Sequence, residues 1–392
     1  MKHRFSHRIG VLSGIFLTAL LPLSAASKGT INIGHVTTLT GPNSYIGPAA
    51  VAALEDEAAR VNAAGGINGW NIKVISYDGQ SQPAESVTVT KRLIDQDKVI
   101  AIVGITGSGP GIPIARVVDE ARIPCIATTA TNVHVTVDES GKVHPYMFRV
   151  CFIDSYQGTA LADYSYNRLG KRRAAFITDV ADPYTVAIHQ FFKDRFTKLG
   201  GQVVLDEGYN KGDQEFRAQL AKVKGSKADV LVNCADNYKD PGLIAKQAKA
   251  LNLNIQMLGG DGWMVKDILP YAGQDLDGSF FTTIATVDDP AFAAYNTAFR
   301  AKHPGLDPNI WNYLTLDCMA IVENAIKVVT ANGGAPDPVK LRDVIEATKD
   351  LPVFTAAKFT FDKDHNPYNK PVVLIQIKDG KFKVLESYAP KD

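Results

Sequence analysis

The chain predicts a mixed α/β protein: two Rossmann-like lobes on parallel-dominated sheets, with a ligand cleft between them. Three observations carry that prediction. Short β-branched runs alternate with longer helical stretches, as in βαβ units. The alternation falls into two blocks, one running to about Arg149 and the next beginning at Ala174. Setting aside 26 N-terminal residues leaves 366 of 392 (392 − 26 = 366), too many for one compact core and comfortable for two.

Those first residues read as a secretory signal. Lys2, His3, Arg4, His7 and Arg8 precede an apolar run from Ile9 to Leu23, and small residues follow at Ser24, Ala25 and Ala26. The run is shorter than the ~18 apolar residues a membrane span needs. No cysteine stands near the expected cleavage point after residue 26. The expectation is a periplasmic protein without a lipid anchor.

Within the first block the strand candidates are 30–36 ("TINIGHV"), 70–78, 99–104 and 123–129, with helices at 49–64 and 84–96 between them. The second block offers strands at 174–179, 202–209, 229–236, 255–261 and 278–284, with helices at 184–200 and 214–226. Glycines at 65, 170 and 200 end helical stretches, as helix C-termini favour. Beyond Phe281 the pattern loosens into helices at 313–334 and 337–351, then 358–362 and 371–388 with the alternation of an antiparallel hairpin turned at Asp379-Gly380.

Composition excludes some functions. Basic and acidic side chains number 42 and 41, so the clustered basic excess of a nucleic-acid binder is missing. Cys125, Cys151, Cys234 and Cys318 each sit in an apolar run with no C-x-x-C spacing. They read as buried small hydrophobes rather than metal ligands, Cys125 with Cys151 being the one pairing worth checking.

The stretch "VGITGSGPGIP" (103–113) ends a strand and opens a helix around Ser108. It lacks the flanking glycines of a hydrolase elbow, the Gly-Lys-Ser/Thr ending of a phosphate loop and the G-x-G-x-x-G of a dinucleotide site. What remains is a hydroxyl and free amides at a helix N-terminus, which favour an anion. The strand at 123–129 ends likewise in hydroxyls, Thr128, Thr129 and Thr131. In a parallel sheet both clusters emerge at the carboxyl edge, where open α/β sheets bind ligands. The second block ends its strands with Asp179, Tyr184, Asp261 and Trp263. One block offers hydroxyls and amides and the other acids and aromatics, a division suited to a ligand bearing an anion and a cation.

In order and spacing, "INIGHVTTLTGPNSYIGPAAVAALEDEAARVNAAGGINGWNIKVISYD", "IVGITGSGPGIPIARVVDEARIPCIATTATN", "FITDVADPY" and "IQMLGGDGW" resemble the periplasmic solute-binding proteins of the branched-chain amino acid (Leu/Ile/Val) ABC-transporter family. The resemblance covers essentially the whole mature chain. It implies two lobes joined by a three-crossover hinge near Val150, Ala285 and Lys358, one lobe being 27–149 plus 285–357 and the other 150–284 plus 358–392. It also implies that Ser108 and Thr131 hold the ligand's α-carboxylate, that the Thr129 backbone joins the ammonium site, and that Asp261 pairs with the α-ammonium where the Leu/Ile/Val proteins carry glutamate. Pocket aromatics fall on Tyr45 and Tyr184, and Trp263 with Phe281 adds apolar surface. Asp236 stands where a tyrosine is usual, with Tyr238 two residues on.

The expected function is capture of an amino acid, branched-chain, aromatic or related, and its delivery to the membrane permease of an ABC importer. The protein is expected to be a monomer without catalysis, cofactor, metal or nucleic-acid partner. Alternatives are a basic or polar amino acid, a small aromatic acid or amide, or a periplasmic sensor module. Asp236 divides the specificities. Turned outward or paired with Lys239 it leaves an apolar pocket, and turned inward it meets a polar or cationic side chain.

Overall fold

A computed structural model describes residues 27–388, so the expected secretory signal lies outside the described residues. The first block forms β1 (Gly29–Thr37), α1 (Gly47–Ala63), β2 (Trp70–Asp78), α2 (Pro83–Asp95), β3 (Ala101–Ile105), α3 (Ser108–Ala121), β4 (Cys125–Ala127) and β5 (Met147–Arg149). The sheet runs β2–β1–β3–β4–β5 with every neighbouring pair parallel. Its inner strands β3 and β4 are wholly apolar and buried, as expected of a sheet covered on both faces, while the edge strand β2 is mostly half-buried. Gly104 in β3 is required by close approach: at φ +93° a Cβ there would lie 2.2 Å from the buried His35 ring.

The second block forms α4 (Asp154–Asn167), β6 (Arg173–Asp179), α5 (Pro183–Lys198), β7 (Gln202–Tyr209), α6 (Arg217–Ser226), β8 (Val230–Val232), α7 (Lys239–Ala250), β9 (Gln256–Gly259), α8 (Ile268–Ala272) and β10 (Phe280–Thr283). Asp182 caps α5 by accepting from the amides of Tyr184 and Thr185, with Pro183 in the first helical turn. The helices α4, α7 and α8 have no counterpart in the sequence reading. The buried residues of α4 include Asp154, Gln157, Gly158, Leu161, Ala162 and Ser165, so polar and apolar positions alike face inward and its periodicity is weak.

Thereafter come α9 (Ala293–Lys302), α10 (Ile310–Val329), α11 (Pro338–Glu346), β11 (Leu351–Val353), β12 (Ala356–Phe359), β13 (Val372–Lys378) and β14 (Lys381–Tyr388). Leu314, Cys318, Met319, Ile321, Val322 and Ala325 of α10 join Ile31, Ile33, Val103 and Phe148 of the first sheet in one core. The chain then returns to the second sheet, whose order is β14–β13–β10–β9–β8–β6–β7, with β13 antiparallel to both β10 and β14. The "KFTFD" stretch does not extend the hairpin. Its strand β12 pairs with β11 in a separate two-stranded sheet, because Phe359 and Phe361 pack into the first core. All four cysteines are buried free thiols.

Candidate functional site

Within each sheet the chain reverses its direction of growth once, between β1 and β3 in the first and between β6 and β8 in the second. Loops leaving the carboxyl ends of strands at such a point open a crevice. Here the two crevices share one cavity of about 120 Å³, lined by Thr38, Asn43, Ser81, Thr106 and Gly107 from one sheet and by Asp182, Lys211 and Asp236 from the other.

The Asn43 loop is fixed by Asp78, whose carboxylate accepts the amides of Leu39, Thr40 and Gln80 and the Thr40 hydroxyl. Asn43 is buried; its amide nitrogen donates to Ser81 Oγ, and its side-chain Nδ2 donates across the cavity to Asp236 Oδ2 at 3.1 Å. Burial first, then the neighbouring Asp182, pushes the Asp236 carboxyl up to about 8. Asp236 turns inward; its hydrogen-bond partner is Asn43, not Lys239. Tyr45 is half-buried, with its ring edge-on to Tyr238 of the opposite lobe at 5.4 Å and to Trp311 at 5.7 Å. It lines a second cavity, of about 310 Å³, with Met264, Lys266 and Trp311.

The other candidates stand at the ends of β3, β4 and β9 and do not line that cavity. Ser108 opens α3 after Gly107, at φ +84°, and its buried Oγ accepts the Asn132 amide at 3.0 Å. Thr129 and Thr131 follow β4, the register partner of β3, and both are buried. Thr128, by contrast, turns back to the Gly104 and Ile105 carbonyls. Asp261 follows β9 and is buried; its Oδ1 accepts the Tyr184 hydroxyl at 2.8 Å, and its own amide donates to Gln157 Oε1 at 3.2 Å. Burial raises the Asp261 carboxyl to about 6, against the opposing pull of Tyr184 and Gln157. Two glycines make this arrangement fit. A Cβ on Gly260 would stand 2.3 Å from Tyr184 Oη, and one on Gly262 would stand 2.4 Å from the Ala235 carbonyl. Trp263 is fully buried and packs in the core behind Asp261, near Phe281.

Sequence reasoning did not single out Arg149, Asp154 or Gln157. The Arg149 guanidinium is fully buried and donates to the carbonyls of Ala130, Asn132 and Val133 and to the Thr136 hydroxyl, so it clamps the loop carrying Thr131. The available signal was an arginine, an aspartate and a glutamine set in the apolar run "MFRVCFIDSYQG", since charged residues are rarely buried without a task.

Two α/β lobes facing each other across a cleft of hydroxyls, amides and buried acids define a solute-binding protein of the type that closes on a small ligand. The chain belongs to the periplasmic binding protein family, whose model matches residues 30–381. An amino acid binding protein of Pseudomonas aeruginosa is 32% identical over 349 residues, covering 87% of this chain and 88% of that one. The Leu/Ile/Val-binding protein homolog 1 of Brucella abortus is 28% identical over 382 residues, covering 96% and 99%. Among solved structures, LivJ of Streptococcus pneumoniae in complex with isoleucine superposes with a TM-score of 0.81 at 29% identity, covering 92% of this chain and all (100%) of that one. Membership implies an extracytoplasmic location, and no helix among the described residues is long and apolar enough to cross a membrane.

Proposed function

We propose that this protein captures a zwitterionic amino acid in the periplasm, without chemical turnover, and hands it to the permease of an ABC importer. The observation that carries the reading is the placing of opposite chemistries at the strand ends of the two sheets: the buried Ser108 and Thr131 hydroxyls after β3 and β4, and the buried Asp261 carboxyl after β9. In this reading Ser108, Thr131 and the amides opening α3 receive the α-carboxylate, and Asp261 with the Thr129 carbonyl receives the α-ammonium. Ser108 Oγ is bonded to a backbone amide and not to a histidine, which argues against a nucleophile. The hinge reading, with residues 27–149 and 285–357 in one lobe and 150–284 with the C-terminal strands in the other, is supported by the packing of α10 on the first core and of β13 on β10. Phe359, Phe361 and His365 stay with the first block, which favours a third crossover closer to β13 than the expected Lys358.

The side chain of the ligand would extend toward the cavity at the two crevices. The homologues' names favour an aliphatic group. The cavity lining of Asn43, Asp182, Lys211 and Asp236 supports a second reading, a polar or basic side chain. A thermal-shift screen of the twenty amino acids tests both, because a ligand at 100 times its dissociation constant adds about 2.7 kcal/mol of stability. A shift with leucine, valine or phenylalanine and none with lysine or arginine supports the first side-chain class, and the reverse supports the second. No shift with any amino acid contradicts amino-acid capture.

A further inference from the structure

Asp154, the first residue of α4, is a buried carboxylate with no structural task. It is fully buried, and neither of its oxygens makes a well-aligned hydrogen bond among the described residues, the Thr131 hydroxyl being the nearest donor that steadies it. It does not cap its helix, whose N-cap position is Ile153 with no side-chain cap bond. Arg149 is not its ion-pair partner, the guanidinium being turned to three carbonyls and Thr136. A buried carboxylate left in that state is costly, and the cost falls when a donor arrives.

What surrounds it indicates which donor. The Asp154 amide donates to the Thr131 carbonyl at 3.0 Å, which fixes the start of α4 against the first-sheet loop. The Thr131 hydroxyl is also fully buried; it makes no well-aligned hydrogen bond and stands beside the Asp154 carboxyl, which it steadies. Asp261 lies near enough that its charge bears on Asp154, and Gln157, one turn along α4, holds the Asp261 amide. One helix start and one opposing turn thus bring two buried carboxylates within reach of each other's charge, and a group with several N–H donors and a positive charge answers both.

We propose that Asp154 is a second acid of the ammonium seat, so that Asp154 and Asp261 together require a primary amine on the ligand and exclude amine-free carboxylic acids. This rests on the amino-acid reading above and narrows it. Burial, with Asp261 nearby, raises the Asp154 carboxyl well above the ordinary range, in keeping with a group that ionises when a cation joins it.

The test is titration calorimetry of wild type and Asp154→Asn with L-leucine, L-phenylalanine and L-lysine, and with isocaproate and hydrocinnamate as the amine-free counterparts of the first two. Wild type should bind an amino acid and ignore its amine-free counterpart. Asp154→Asn should weaken the amino acid by about tenfold to a hundredfold and narrow the gap to the amine-free acid. If Asp154→Asn does not fold, Asp154→Ser keeps a hydroxyl suited to a helix start and serves in its place. A variant that binds the amino acid as wild type does, or a wild type that binds an amino acid and its amine-free counterpart alike, overturns the role of Asp154 and leaves amino-acid capture standing. Wild type that binds isocaproate or hydrocinnamate but no amino acid overturns the reading on which the inference rests.

Discussion

The Tyr184 hydroxyl donates to the Asp261 carboxylate at 2.8 Å while accepting the Gly262 amide at 3.2 Å. One phenol therefore holds the acid and the turn that carries it. Tyr184→Phe should cost about 1–3 kcal/mol of unfolding free energy, the penalty for unmaking buried hydrogen bonds. Because the phenol opposes the upward pull of burial, the Asp261 carboxyl should rise further above 6 in the variant. Denaturant titration and the pH profile of ligand affinity check this; an unchanged profile would detach Tyr184 from Asp261.

Gly260 should tolerate no side chain. The 2.3 Å approach of a Cβ to Tyr184 Oη forces the phenol off Asp261, and overpacking of this kind costs about 1–3 kcal/mol. Gly260→Ala should therefore lower both the melting temperature and the affinity for the amino acid. Full affinity with unchanged stability would mean that the phenol contact has no bearing on the site.

Arg149→Met should remove the cation but leave the Ala130, Asn132 and Val133 carbonyls without their donors. Each buried carbonyl so stranded costs about 1–3 kcal/mol. The variant should be markedly destabilised, and any folded fraction should bind more weakly because Thr131 loses its support. Near-normal stability and binding would refute the clamp.

The ligand-free protein should lose stability as pH rises from about 6.5 to 8. Asp236 and Glu323 are each pushed up to about 8, by burial and then by Asp182 and Glu57 respectively, so across this window the folded state holds protons that the unfolded state has released. Below 6.5 the slope is offset by the buried His35 and His189, both lowered by burial to about 3, which favour folding as pH rises toward 6.5. The loss should be on the order of 1 kcal/mol per group, and Asp236→Asn should flatten it. Stability that climbs from pH 6.5 to 8 in urea titrations would contradict the sign.

The parallel sheets and their carboxyl edges were legible because parallel strands announce themselves as apolar runs and their carboxyl ends as clusters of Gly, Ser, Thr and Asp. Ser108, Thr131 and Asp261 could be named that way. The helix α4 could not, since Asp154, Gln157 and Ser165 face inward and blur the apolar stripe. The inward turn of Asp236 was equally hidden, because its partner Asn43 lies 193 residues away. Trp263 shows the converse: an aromatic beside a site residue in sequence that packs in the core behind it.

The central claim, that the cleft holds an ammonium on Asp261, is tested most directly by calorimetric titration of wild type and Asp261→Asn with the bound amino acid and its amine-free counterpart. The account predicts a loss of about 2–5 kcal/mol for the amino acid, as expected when one partner of a buried charge pair is removed, and little change for the amine-free acid. Undiminished binding of the amino acid to Asp261→Asn would contradict it.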